Sequence, residues 1–271
     1  MLDPDRLAGV AAQEVAFRGG GFAPVPRLWV GFALFAAVLT VLELLTRTGI
    51  IPAFVLPMPS QIATVLWELT ASGALWTHLG PSLARLAVGS AMGVTAGIAV
   101  GVLIGLFSLA RAGLVPLVAA LFPIPKIALL PIFVVWFGIG EGSKYALIAL
   151  GTFTPTVVAA YGAIDNVDRT LVRMGQSFGL SWWSIVRKIV LPGALPGILS
   201  GLRVALAIGI ILLVAAEMIG AEFGIGAYIL QAGSLYDLER LFAGVVVLSI
   251  LGVIVSSTIG WAERRLLDWR A

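Results

Sequence analysis

Long apolar stretches alternate with short polar ones along this chain. A helix needs roughly 20 mainly apolar residues to cross the hydrocarbon core of a bilayer. Six stretches qualify, at about 28–46, 82–108, 113–137, 144–163, 196–219 and 241–262. Pro116, Pro123, Pro125 and Pro131 interrupt the third. It is expected to be kinked or partly unwound, which a membrane tolerates only where protein or water satisfies the freed backbone groups. The second carries Gly89, Gly93, Gly97, Gly101 and Gly105, one every fourth residue. Such a stripe lets a neighbouring helix approach backbone to backbone. The neighbour could belong to the same chain or to a second copy.

Two connections have patterns of their own. Between the first two spans, at about 47–81, Pro57 and Pro59 punctuate the chain and Ser60 can cap a short helix. Ile62, Val65, Leu66 and Leu69 then share one helical face. This face suits the membrane surface or the bundle, or alternatively a soluble partner. The longest polar connection is 164–197. There Asp165 or Asp168 can cap a helix toward Phe178, and Gly179 fits the left-handed position that ends it. Ser181 caps a second helix from Trp182 to about Val190, Leu191-Pro192 is expected to stop it, and Pro196 to open the fifth span. That second helix is expected to expose Trp182, Trp183, Ile185 and Ile189 beside Arg187 and Lys188. Aromatic anchors with a basic rim suit a socket on a partner protein. The same residues also suit a helix lying in the headgroup region.

Composition narrows the class. Of 271 residues, 60% are hydrophobic and 11% charged, where a soluble domain carries about a quarter charged. Without cysteine, and with His78 as the lone histidine, disulfides, thiolate metal sites and His-rich metal sites are excluded. No phosphate-binding G-x-x-x-x-G-K-[ST] motif is present. The chain is basic, with 17 Lys and Arg against 14 Asp and Glu. With six spans and both termini inside, twelve of these cations fall on the cytoplasmic side, including Arg111, Arg169, Arg173, Arg203 and Arg264. Only Arg47, Arg85, Lys144 and Arg240 fall outside. That positive-inside bias explains the basicity without nucleic acid. Residues 1–27 lack the apolar core of a signal peptide and read as a cytoplasmic tail, leaving 28–271 as the membrane domain.

Within the spans, Lys126 and Glu217 are the candidate translocation-path or gate residues. Lys126 could face a pore used by an anion or snorkel to the cytoplasmic interface. Glu217 could pair with a base or line a gate. Glu141 and Lys144 are expected in the outer loop before the fourth span, and His78 is expected to cap or pack near the surface.

The run Gly179-Leu180-Ser181 through Ile189-Val190-Leu191-Pro192, then Ala194-Leu195-Pro196, resembles the cytoplasmic "EAA" loop of ABC-importer permeases. Leu56-Pro57-Met58-Pro59-Ser60, Pro123 to Pro131, Trp136 to Glu141 and Ala216-Glu217-Met218-Ile219-Gly220-Ala221 resemble the nitrate/sulfonate/taurine branch of that family. The similarity covers about residues 50–270. Where the family has Glu-Ala-Ala, this chain has Arg173-Met174-Gly175, so no salt bridge of that Glu can be carried over. The resemblance implies an all-α bundle of six transmembrane helices, the type I importer permease, in a bacterial cytoplasmic (inner) membrane and surrounded by its lipid. It implies a chain with no catalytic residue and no cofactor of its own, two ATP-binding subunits that hydrolyse the ATP, an extracytoplasmic solute-binding protein and pairing with a second copy of the chain. The solute would be a small anion of the sulfonate, nitrate, taurine or carboxylate type. Arg173, Gly179, Ser181, Trp182, Trp183, Ile185, Arg187 and Lys188 would form the coupling surface for the ATPase. The competing class is a self-contained secondary transporter, which would need no ATPase.

Overall fold

The computed structural model describes residues 28–267, all of whose regular structure is helical. The tail expected at 1–27 lies outside these residues. In chain order the elements are α1 (Leu28–Arg47), α2 (Pro59–Ala71), α3 (Ala74–Leu106), α4 (Ser108–Leu121), a 3-10 turn (Lys126–Leu129) and α5 (Leu130–Phe137). There follow α6 (Glu141–Asp165), α7 (Arg169–Ser177), α8 (Trp182–Ile185), a π turn (Val186–Val190), α9 (Leu191–Gly220), α10 (Ile225–Ser234) and α11 (Leu238–Leu266). Among the described residues, five helical stretches are long and apolar enough to span a membrane, and α4 with α5, bent by 89° at the break between them, makes a sixth when the pair is counted as one span. The bend falls at Pro123 and Pro125, where two missing amide donors and the restriction on the residue before each proline end the helix.

The core is a three-layer stack with α6 in the middle. One face of α6 receives the glycine stripe of α3. A methyl group at Gly89 would lie 2.7 Å from Ile148, at Gly97 2.7 Å from Thr156, at Gly101 2.5 Å from Ala160 and at Gly105 2.7 Å from Ile164. At Gly93 it would overlap Thr152 and the Ala149 carbonyl. The stripe therefore packs within its own chain. The other face of α6 receives α9 by the same device, with Gly197 against Ala163 and Gly201 against Ala159. Helix α1 stands to the side and is largely exposed along its apolar length. Its Glu43 accepts hydrogen bonds from the Ser60 amide and hydroxyl at the start of α2.

Several boundaries differ from expectation. Ser60 is not the cap of α2: the helix begins at Pro59 behind Met58, and Ser60 is spent on Glu43. Helix α3 begins eight residues before position 82 and carries Pro81 within it. Glu141 and Lys144 are in the first turn of α6 rather than in a loop, and Lys144 is buried. Leu191-Pro192 does not stop the second loop helix, and Pro196 lies inside α9 rather than at its start. Pro192 has no amide to give the Lys188 carbonyl and its ring crowds that group. The π turn at Val186–Val190 absorbs the mismatch, so helix runs without a break from Trp182 to Gly220.

Candidate functional site

Each end of the bundle carries an organised group of side chains. At the cytoplasmic end, Arg111 of α4 pairs with Asp165 at the close of α6. Asp168 then caps α7, accepting from the Thr170 amide at 2.7 Å. That bond holds the exposed Asp168 carboxyl below its ordinary range. Gly179 turns the chain at φ +73°, in the left-handed region, and Ser181 caps α8 by accepting from the Ser184 amide at 3.3 Å.

The Trp182 and Trp183 rings stack with centroids 6.0 Å apart, and Trp182 also leans on Phe107 at 5.6 Å. Both tryptophans are more than half exposed, as are Met174 and Phe178 of the preceding turn. Arg173, Arg187 and Lys188 of the same connection are exposed and outside any salt bridge among the described residues. Ile185 and Ile189 correct the expectation of exposure. Ile185 is buried and Ile189 half-buried, and both point at Gly175, where a methyl group would come within 2.9 Å of Ile189. The glycine within Arg173-Met174-Gly175 thus lets α7 lie directly on the second loop helix. A cleft of about 300 Å³ runs behind the knob, between the ends of α3 and α6 and the helices α7 and α8.

At the outer end, Arg85 of α3 is buried between two carboxylates. Its Nε and Nη2 each donate to Glu141 at 2.7 Å, and its Nη1 donates to Glu217 at 2.7 Å and to the Phe223 carbonyl at 2.6 Å. Glu217 is fully buried and accepts further hydrogen bonds from the Ser82 hydroxyl at 2.8 Å and the Gly226 amide at 2.9 Å. Ser82 in turn accepts from the Ile225 amide. Gly224, at φ +147°, lies against Glu217 so closely that a methyl group there would overlap the carboxyl carbon at 2.5 Å. His78 packs on Phe223 and Tyr228, with Nδ1 3.1 Å from the Gly224 carbonyl. One cluster therefore joins α3, α6 and α9 to the turn that starts α10.

Lys126 stands apart from this cluster. It is half-buried at the bend between α4 and α5, with Nζ donating to the Phe122 carbonyl at 2.6 Å and lying over the Phe122 ring. Sequence reasoning counted Arg85 among the outer charges and missed its partners, as it missed Ser82 and Gly224. The available signal was three ionisable residues, Arg85, Glu141 and Glu217, at the same-side ends of apolar stretches, where burial demands pairing.

Comparison with known proteins decides what this bundle is. Residues 93–268 match the family model of the binding-protein-dependent transport system inner membrane component. The chain belongs to this family. Its relatives include the aliphatic sulfonates transport permease protein SsuC of Bacillus subtilis strain 168, 35% identical over 89% of this chain and 87% of that protein. The taurine transport system permease protein TauC of Escherichia coli K12 is 36% identical over 86% and 87%. In fold, the methionine ABC transporter MetNI in an inward-facing conformation superposes with a TM-score of 0.59, at 24% identity, over 78% of this chain and 98% of that one. The chain is therefore the multi-pass membrane permease subunit of an ABC importer with a type I permease fold, and not an enzyme. Membership implies a separate ATP-binding subunit and a substrate-binding protein, and the secondary-transporter alternative is set aside.

Proposed function

We propose that this permease carries a small anionic solute of the sulfonate type across a bacterial inner membrane, paired with a second copy of itself among the membrane lipids. Solute would arrive from the binding protein at the outer end, and the connection at 164–197 would dock the ATP-binding subunit. The sulfonate and taurine relatives, similar over most of the chain, support the solute class. The observation that carries the docking reading is the exposed Trp182–Trp183 pair, with Arg173, Arg187 and Lys188 exposed on the same connection. Stacked tryptophans are large, stiff anchors, and cations on the same connection favour an acidic socket. Ile185, Gly179 and Ser181 serve that surface from beneath by fixing the turn and the packing of α7. Arg173, in place of the family's acidic residue, calls for a matching acidic position on the ATP-binding subunit. Glu217, wholly inside one chain, acts as a brace for the outer gate, and Lys126 marks the elbow of the bent span beside the path.

The test is to purify the tagged permease from its native membranes in mild detergent with its companions, and to assay ATP hydrolysis. We expect an ATP-binding subunit to co-purify, and its recovery and transport-coupled hydrolysis to fall at least about tenfold for Trp182→Ala/Trp183→Ala, the size expected for two interface anchors. Full recovery of the subunit with the double variant would remove the tryptophans from the docking surface.

A further inference from the structure

The outer cluster distributes its charges unevenly. Arg85 takes both oxygens of Glu141 and one of Glu217, at 2.7 Å each. Lys144, only 3% exposed, is left with the carbonyls of Gly140 at 3.1 Å and Ile139 at 3.4 Å, and a shared oxygen of Glu141 at 3.5 Å. An ammonium paired to a carboxylate normally makes contacts of about 2.7–2.9 Å. The Gly140 contact is an ordinary hydrogen bond, the Ile139 contact is long, and the one contact to a carboxylate is well outside this range, so the buried cation has a distant counter-charge.

Beside Lys144 lies a cavity of about 190 Å³ between the outer ends of α5, α6 and α9. Its walls are apolar, built from Leu130, Val134, Ile139 and Ile219, and its polar side chains are Lys144 and Ser143. Ile139 and Ile219 are 72% and 64% exposed, so the cavity opens on the outward face that α5 and α9 share.

We infer that this cavity is a small-anion site, in which the Lys144 ammonium takes a sulfonate or carboxylate head, the Ser143 hydroxyl turns to that head from the Gly140 carbonyl it meets at 3.1 Å, and the apolar walls take a short carbon tail. An incoming anion replaces long contacts to the ammonium with a short one in a place largely shielded from water. Arg85 and Lys144 together balance Glu141 and Glu217, and because Arg85 takes both oxygens of Glu141 at 2.7 Å, the Lys144 ammonium keeps only a 3.5 Å contact to that carboxylate. A chamber of this size admits a solute of a few heavy atoms and leaves no room for a large one. This site rests on the importer reading above and gives the solute a resting place on its way between the two faces.

The experiment uses the detergent-purified complex of permease and ATP-binding subunit, with thermal unfolding followed as ethanesulfonate is added and uncharged dimethyl sulfone as the control. We expect ethanesulfonate alone to raise the unfolding temperature of the wild type, since a ligand that binds only the folded state stabilises it. Lys144→Met should weaken that binding roughly ten- to a hundredfold, the loss of one charge-assisted hydrogen bond. Ile219→Trp, which narrows the mouth and leaves the ammonium in place, should weaken it as well. No shift in the wild type, an equal shift with dimethyl sulfone, or a full shift retained by either variant overturns the site. ATP-driven uptake of taurine by the wild-type complex with its binding protein, measured separately in liposomes, tests the importer reading on its own. Failure there leaves the thermal result to judge the cavity.

Discussion

Arg85 is held by carboxylates 56 and 132 residues further along the chain, and nothing in the linear order links the three. That distance is why this centre of the outer end was illegible, although each residue was visible as a charge beside an apolar stretch. The cluster makes an asymmetric prediction. Arg85→Met leaves the buried Glu217 without its cation and should cost on the order of 3–5 kcal/mol. Glu217→Gln keeps the shape and an acceptor oxygen, and should cost clearly less. Thermal unfolding of the two purified variants compares them, and equal losses would contradict the clamp. At the other end, Asp168 carries a pH prediction. Its carboxyl is held below its ordinary range by the Thr170 amide. The capping contribution is therefore fully present above the ordinary carboxylate pKa and fades as pH falls through the lowered value of the folded chain. Hydrogen exchange of the α7 amides, corrected for intrinsic rates, should show α7 loosening in acid, whereas Asp168→Asn should show little change over the same window.

Among the elements, the glycine stripe of α3 was readable and its partner was not, because a small-residue face says that something comes close without saying what. The answer is also periodic: Ile148, Thr152, Thr156, Ala160 and Ile164 meet the five glycines at the same four-residue spacing on α6. Gly97→Leu should wedge the two helices apart, costing about 1–3 kcal/mol or more by overpacking. Gly113→Leu and Gly252→Leu, where an added methyl meets nothing within 4 Å, should be tolerated. Yield of monodisperse protein after solubilisation separates these cases, and equal yields would refute the wedge. The bend of the third span was legible from its prolines, since a missing donor acts locally. Pro192 misled for a related reason. A proline predicts a disturbed hydrogen-bond ladder, and whether the helix ends or inserts a π turn depends on packing around it, here the burial of Ile185, Val186 and Val190.

For the whole molecule, hydropathy was sufficient to find the candidate spans, because it responds to the bilayer rather than to tertiary contacts. Among the described residues, the segments assigned to the inside hold Arg173, Arg187 and Lys188 outside any salt bridge beside the paired Arg111 and Arg203, while the cations assigned to the outside, Arg47, Arg85, Lys144 and Arg240, all lie within 4 Å of carboxylates. The inner face thus offers free positive charge to a partner, and the outer face keeps its charge internal. The unbroken helix from Trp182 to Gly220 connects the two. At 1.5 Å per residue its 39 residues make a beam about 58 Å long. It has exposed tryptophans at one tip and the buried Glu217 near the other. A tilt of about 5° around the midpoint of such a beam displaces each tip by about 2.5 Å, close to one hydrogen-bond length. A push on the tryptophans would then reach the Arg85 clamp directly, with the opposite sign, as a seesaw carries motion across its pivot.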